Sequence, residues 1–146
     1  MICALDWHAE KNGTLAMNRC SARHALGSGV PCVNHTCVLC CLETQMLLSP
    51  ADLLRIERLG YERADFALKV ADGWYLKNVA GHCVFLEKDG CRIYSNRPEG
   101  CRLYPLLYDE ASRRARLDYL CPYCREFRVS KGDLKTLKNL LSGLKS

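Results

Sequence analysis

Apolar positions along the chain come in short clusters separated by turn residues, a pattern of small strands and brief helices rather than long elements. Met46, Leu47 and Leu48 form the first apolar cluster and read as a short strand. Ser49-Pro50-Ala51-Asp52 then has the form of a helix start: a capping serine, a proline at the first helical position and an acidic residue three places on. Leu53, Ile56 and Leu59 give a buried helical stripe, and Gly60 suits the end of that helix. A second short helix is expected over 62–69 around Phe66, followed by a strand at Trp74-Tyr75-Leu76. Cys83 to Tyr94 reads as a hairpin turning at Asp89-Gly90. Arg97 to Pro105 reads as a helical turn between two prolines, and 106–108 with 115–120 as another hairpin.

Near the C-terminal end, Ser130 and Asp133 announce a last helix. Its apolar face is Leu134, Leu137, Leu140, Leu141 and Leu144, and Lys135, Lys138 and Lys145 lie opposite. Residues 1–31 carry little pattern, and Gly27, Ser28, Gly29 and Pro31 make a flexible approach. They read as a partly disordered extension to a domain at 32–146, and Met17 is an alternative start. The expected class is α+β: a small cysteine-rich domain organised by metal, with short hairpins, a few helices and an amphipathic C-terminal helix.

Composition adds one decisive fact. Eleven of 146 residues are cysteine, in a chain that is otherwise ordinary for a globular domain, 49% hydrophobic and 25% charged. Many cysteines point either to secretion with disulfides or to metal in a reducing compartment. The first apolar stretch stops at Leu5, too short for a secretory signal. The odd count cannot all pair, and adjacent Cys40 and Cys41 would strain a bridge. Metal and a cytoplasmic location are therefore expected. No run is long enough to cross a bilayer. The formal charge of +5 treats every thiol as neutral. Eight thiolates and two divalent ions together carry −4, which would leave about +1. A nucleic-acid partner is thus not expected, and Arg113, Arg114 and Arg116 read as a solvated turn.

Soft ions take thiolates, four around zinc or in an iron–sulfur cluster. Two intervening residues let the backbone wrap one ion, and Cys37-x2-Cys40 and Cys121-x2-Cys124 have that spacing. Cys32 and Cys41 add donors nearby, and a helical turn through Cys37, Cys40 and Cys41 would set three sulfurs on one face. Cys83, Cys91 and Cys101 stand alone. The nine cysteines from Cys32 onward suit two sites with a thiol to spare, or one site plus structural thiols. Arg97 and Arg102 are candidates to offset thiolate charge, with Arg92 beside them. His35 reads as a solvent-facing loop histidine before a ligand, and Tyr94, Tyr104 and Tyr108 as structural. No catalytic triad, phosphate loop or HExxH helix is present.

Taken together, Cys32-x4-Cys37-x2-Cys40-Cys41, Leu48-Ser49-Pro50-Ala51-Asp52, Cys83-Val-Phe-Leu, Cys91-Arg-Ile-Tyr, Arg97-Pro98-x2-Cys101-Arg102-x-Tyr104-Pro105 and Cys121-Pro122 resemble the YkgJ-type cysteine-cluster proteins, the CxxCxxCC zinc- or iron-chelating family. One position departs from the family pattern. Asn34 stands where the first cysteine belongs, and Cys32 takes its place with four intervening residues. The resemblance implies a small cytoplasmic chelator of zinc or iron, with Cys32, Cys37, Cys40, Cys41, Cys83, Cys91, Cys101 and Cys121 as ligands. A similar cluster in flagellin lysine methylases implies an alternative, an iron–sulfur enzyme of protein methyl transfer. A zinc-dependent nucleic-acid or protein adaptor is a third reading, hinted at by the basic face of the last helix.

Overall fold

The structure is a computed structural model and describes residues 24–70 and 73–144. Cys3, Cys20 and Met17 lie outside them. The strands are β1 (His24–Ala25), β2 (Leu47–Leu48), β3 (Ala67–Val70), β4 (Gly73–Leu76), β5 (Asn78–Val79), β6 (His82–Cys83), β7 (Leu86–Glu87), β8 (Gly90–Cys91), β9 (Leu106–Asp109), β10 (Arg114–Leu117) and β11 (Phe127–Arg128). The α-helices are α1 (Val30–Asn34), α2 (Pro50–Glu57), α3 (Arg63–Phe66), α4 (Glu99–Leu103) and α5 (Lys131–Leu144). This is the α+β class expected from the sequence.

Two apolar cores organise these elements. In the first, β2, β4 and β3 form an antiparallel sheet in that order, with Leu48 opposite Trp74 and Leu68 opposite Tyr75. Leu53 and Ile56 of α2, Phe66, Phe85 and Ile93 fill its inner side. The second core joins Leu26, Leu103, Leu106, Phe127 and Leu137, with Leu134, Leu140 and Leu141 of α5 against it. β1 runs parallel to β11, pairing His24 with Phe127, so residues just ahead of α1 are built into the second core through Leu26.

Local chemistry sets the boundaries. Ser49 and Asp52 form a reciprocal capping box at the start of α2: the Asp52 N–H donates to Ser49 Oγ at 3.1 Å, and the Ser49 N–H donates to Asp52 Oδ2 at 3.0 Å. Ser130 and Asp133 repeat the arrangement before α5, at 3.0 and 2.8 Å.

Leu59, expected in the buried stripe of α2, is exposed, because the helix ends at Glu57. Three further local expectations change. The helix expected over 62–69 stops at Phe66, because 67–70 pair along β4 instead. The β7–β8 hairpin turns at Lys88-Asp89, one residue early, since Gly90 pairs with Glu87. Its glycine adopts φ 125° inside the ladder. The third concerns Cys37. Thr36, at φ 49°, reverses the chain after α1, so only Leu39–Cys41 make a short 3₁₀ turn and Cys37 stays outside it. A further hairpin, β5–β6, was not anticipated. Ala80 and Gly81, both at positive φ, form its two-residue turn and bring Cys83 opposite Asn78.

Candidate metal centre

The two cores meet around a cavity of about 840 Å³. Phe85, Ile93 and Leu76 face it from the first core, and Leu26 and Phe127 from the second. Seven of the eight cysteines singled out by sequence line it: Cys32, Cys37, Cys40, Cys41, Cys83, Cys91 and Cys101. They arrive on several different local devices. Cys32 rides on α1, Cys40 and Cys41 on the 3₁₀ turn, Cys83 and Cys91 at the ends of β6 and β8, and Cys101 in α4. Cys121 does not reach the cavity. It is buried beside Cys124, within electrostatic range of Cys32 and Cys37. All nine described cysteines are free thiols.

Backbone amides are aimed at several of these sulfurs. The N–H groups of Phe85 and Leu86 donate to Cys83, that of Ile93 to Cys91 and that of Tyr123 to Cys121. In each case a donor lies two residues after the cysteine. Such donors favour a thiolate over a thiol and orient it before any ion arrives. In the first two turns the residue two places on, Phe85 or Ile93, is also buried core, so the turn and the sulfur are fixed by the same side chain. Cys-x-apolar is the sequence mark of this device, visible at Cys83-Val-Phe and Cys91-Arg-Ile.

The thiols perturb one another. Burial pushes Cys83, Cys91 and Cys101 up from the ordinary thiol value, and charge on Cys40 pushes all three further. Burial also raises Cys121, to about 11, with Cys124, Cys32 and Cys37 adding to the rise. Cys40 goes the other way: a hydrogen bond from the Cys41 thiol holds it below the usual range and raises Cys41 in turn. Arg97 offsets part of the burial penalty at Cys32 and Cys91.

Arg97 is held firmly for that task. Its guanidinium donates to the carbonyls of Tyr94 at 2.9 Å and Gly27 at 3.0 Å, and lies 4.2 Å from the Tyr94 ring centroid. The other two arginines are engaged differently. Arg102 donates to the Ser95 carbonyl at 2.7 Å and Arg97 carbonyl at 3.3 Å, bracing the turn before α4. Arg92 is bound to Glu87 at 2.6 Å. His35 does not line the cavity; its Nε2 lies 2.9 Å from Glu126 Oε2 and its ring stacks on Tyr123. Tyr94 and Tyr104 line the cavity, and the Tyr104 hydroxyl donates to Asp118 at 2.8 Å.

Asp52 is the residue whose importance the sequence understated. It reads there as a capping residue only. In the fold it is fully buried and ties α2 to α4: Oδ1 accepts from Arg55 Nη2 at 2.7 Å and from the Glu99 N–H at 3.0 Å. Arg55 continues to the carbonyls of Asn96 and Arg97, at 3.4 and 3.0 Å. Asp52 thereby sets the start of the helix that carries Cys101. Two glycines make the same region close-packed. A side chain at Gly100 would meet Met46 Sδ at 2.3 Å, and one at Gly29, which has φ 63°, would meet the Tyr94 hydroxyl at 1.7 Å.

In kind, the donor set fits a soft cation: thiols, amide donors aimed at sulfur, and one clamped guanidinium. In position, the sulfurs ring the cavity without converging on a point. Among the described residues no three His, Cys, Asp or Glu side chains are already gathered to hold one ion. Among the described residues no helix is long and apolar enough to cross a membrane.

No curated protein and no solved structure matches the chain. Residues 31–125 match the CxxCxxCC family, described as a "Putative zinc- or iron-chelating domain". That span begins just before Cys32, ends just after Cys124 and holds every cysteine of the cavity, so the chain belongs to the CxxCxxCC family of zinc- or iron-chelating domains.

Proposed function

We propose that this protein chelates zinc or iron through cysteine thiolates, with Cys32, Cys37, Cys40, Cys41, Cys83, Cys91, Cys101 and Cys121 as donors. One observation carries the reading: seven cysteines spread over some seventy positions line one cavity between the two cores. Apolar packing alone gives no reason for seven thiols to share one cavity. A bound dication would supply the charge that lets several buried thiols ionise together. The chain's part is to present the sulfurs, aim amide donors at Cys83, Cys91 and Cys121, and hold Arg97 against the excess negative charge.

A second reading, protein methyl transfer at an iron–sulfur centre, draws on the size of the cavity. Its 840 Å³ falls within the roughly 300–1,000 Å³ usual for small-molecule sites. Elemental analysis and the visible spectrum of anaerobically purified protein separate the two. Stoichiometric zinc in a colourless protein supports simple chelation. Iron and sulfide in a brown protein support the cluster. Protein folded to the expected secondary structure but free of metal, and taking up none when zinc or iron is supplied, overturns both.

A further inference from the structure

The chain holds two Cys-x2-Cys pairs, and the fold treats them differently. Cys37 and Cys40 both line the cavity, whereas neither Cys121 nor Cys124 does. The second pair is instead closed on itself. The Cys124 N–H donates to the Cys121 carbonyl at 3.2 Å, which makes Cys121-Pro122-Tyr123-Cys124 one tight turn. A four-residue turn brings its end Cα atoms within about 7 Å, which overlaps the separation of about 4.4–6.8 Å that a disulfide spans.

That turn is pinned on each side. The Cys121 N–H donates to the Asp118 carbonyl at 3.1 Å, and the Glu126 N–H donates to the Tyr123 carbonyl at 2.9 Å. The Tyr123 ring stacks on His35 with centroids 3.8 Å apart. The Tyr123 N–H donates to the Cys121 sulfur, which lays that sulfur over its own turn. Exposure separates the two thiols. Cys121 is only 7% exposed, while Cys124 is half-buried, so a reagent from solvent meets Cys124 first.

We propose that Cys121 and Cys124 form a reversible intramolecular disulfide, a redox site outside the cavity, with Cys124 as the attacking thiol and Cys121 as the resolving one. The oxidant is a low-molecular-weight disulfide. Cys124 gives its proton to solvent and its sulfur attacks one sulfur of that disulfide. The small S–S bond breaks, one thiol leaves and a mixed disulfide forms on Cys124. Cys121 then loses its proton, attacks the Cys124 sulfur and expels the second small thiol. In sum, the two protein thiols give up two electrons and two protons, and the small disulfide takes them as two thiols. The site stands without the chelation inferred above and meets it at one point: oxidation withdraws Cys121 from the eight proposed donors and leaves the seven that line the cavity.

Full-length metal-free protein, fully reduced, is exposed anaerobically to rising oxidised glutathione, quenched with iodoacetamide and digested with trypsin. Residues 117–125 are released as one peptide whose only cysteines are this pair. In wild type that peptide is expected to lose two hydrogens and escape alkylation at oxidant levels where the cavity cysteines are still alkylated, and dithiothreitol should restore it. Cys121→Ser should carry a stable glutathione adduct on Cys124, and Cys124→Ser should leave Cys121 unmodified; far-UV circular dichroism confirms that both are folded. A wild-type peptide alkylated at both positions when the cavity cysteines are already oxidised would overturn the proposal, whatever the variants do. A glutathione adduct on Cys121 in Cys124→Ser would overturn the order of attack. Zinc and iron uptake by the reduced protein is measured alongside. Protein that closes this disulfide but takes up neither metal supports the site and overturns chelation, and the reverse result does the opposite.

Discussion

Replacing Asp52 by Asn tests how far one buried carboxylate governs the centre. The side chains are nearly the same shape, but Asn has a single acceptor oxygen. Asp52 receives three donors: Arg55 Nη2 at 2.7 Å and the Glu99 N–H at 3.0 Å on Oδ1, and the Ser49 N–H at 3.0 Å on Oδ2. The least costly placement keeps oxygen toward Arg55 and Glu99. The amide NH₂ then faces the Ser49 N–H, donor against donor, and an unsatisfied buried group costs about 1–3 kcal/mol. The bond from Arg55 also loses its charge assistance, about 1–2 kcal/mol more. The total, about 2–5 kcal/mol, is a large share of the 5–15 kcal/mol typical of a folded domain. Among the described residues no buried side-chain nitrogen or oxygen lacks a partner, so this would be a new defect. Urea unfolding of the apo protein measures the loss. A metal titration should show weaker binding as well, because Glu99 opens the helix that bears Cys101. An unfolding free energy within about 1 kcal/mol of wild type would refute the reasoning. So would the same loss in an Arg55→Gln background, where the charged partner is already gone.

Three further outcomes follow from the same geometry. Gly29→Ala combines a left-handed φ with contact at 1.7 Å from the Tyr94 hydroxyl; it should destabilise by about 2–3 kcal/mol, measured by denaturant unfolding, and a neutral result would mean that Arg97 and α1 are not docked as described. Cys101→Ser and Cys40→Ser should each lower bound metal and thermal stability, while Cys3→Ser should do neither; equal metal content in wild type and Cys101→Ser, by elemental analysis, would remove Cys101 from the donor set. The apo protein should lose stability in alkali: Cys83, Cys91, Cys101 and Cys121 are raised above the ordinary 9.0, so their contribution is full below pH 9 and fades as pH climbs through the folded values, about 11 for Cys121. Metal affinity should rise over the same direction of pH, because ligation displaces protons; chemical unfolding at pH 8 and 10 with and without zinc checks both signs.

What the sequence disclosed was whatever depends on near neighbours. Ser49-Pro50-x-Asp52 and Ser130-x2-Asp133 specify their helix starts within four residues, and both caps form. The cysteines singled out by count and spacing include the seven that line the cavity, because an unusual number of thiols leaves a compositional trace that apolar packing does not. Long-range relations left no such trace. Asp52 looks the same in the chain whether it caps one helix or joins two, and only the 47-residue step to Glu99 reveals the second role. The β5–β6 turn at Ala80-Gly81 was overlooked because alanine rarely accepts φ 51°. The Lys88-Asp89 turn displaced the more familiar Asp-Gly pair by one residue, because register follows the partner strand rather than the dipeptide. His35 and Tyr123 lie 88 positions apart, and nothing in either segment announces that they meet.

The two-residue ladder between β1 and β11 encircles all nine described cysteines, which lie between Ala25 and Phe127. During synthesis, that buckle cannot fasten until Phe127 has emerged from the ribosome, after every one of those sulfurs. The small hairpins close over a few residues each and need not wait. A chain cut short before Phe127 therefore keeps every described cysteine and the whole of the first core, but loses the β1–β11 pairing and the Phe127 side chain that fills the second.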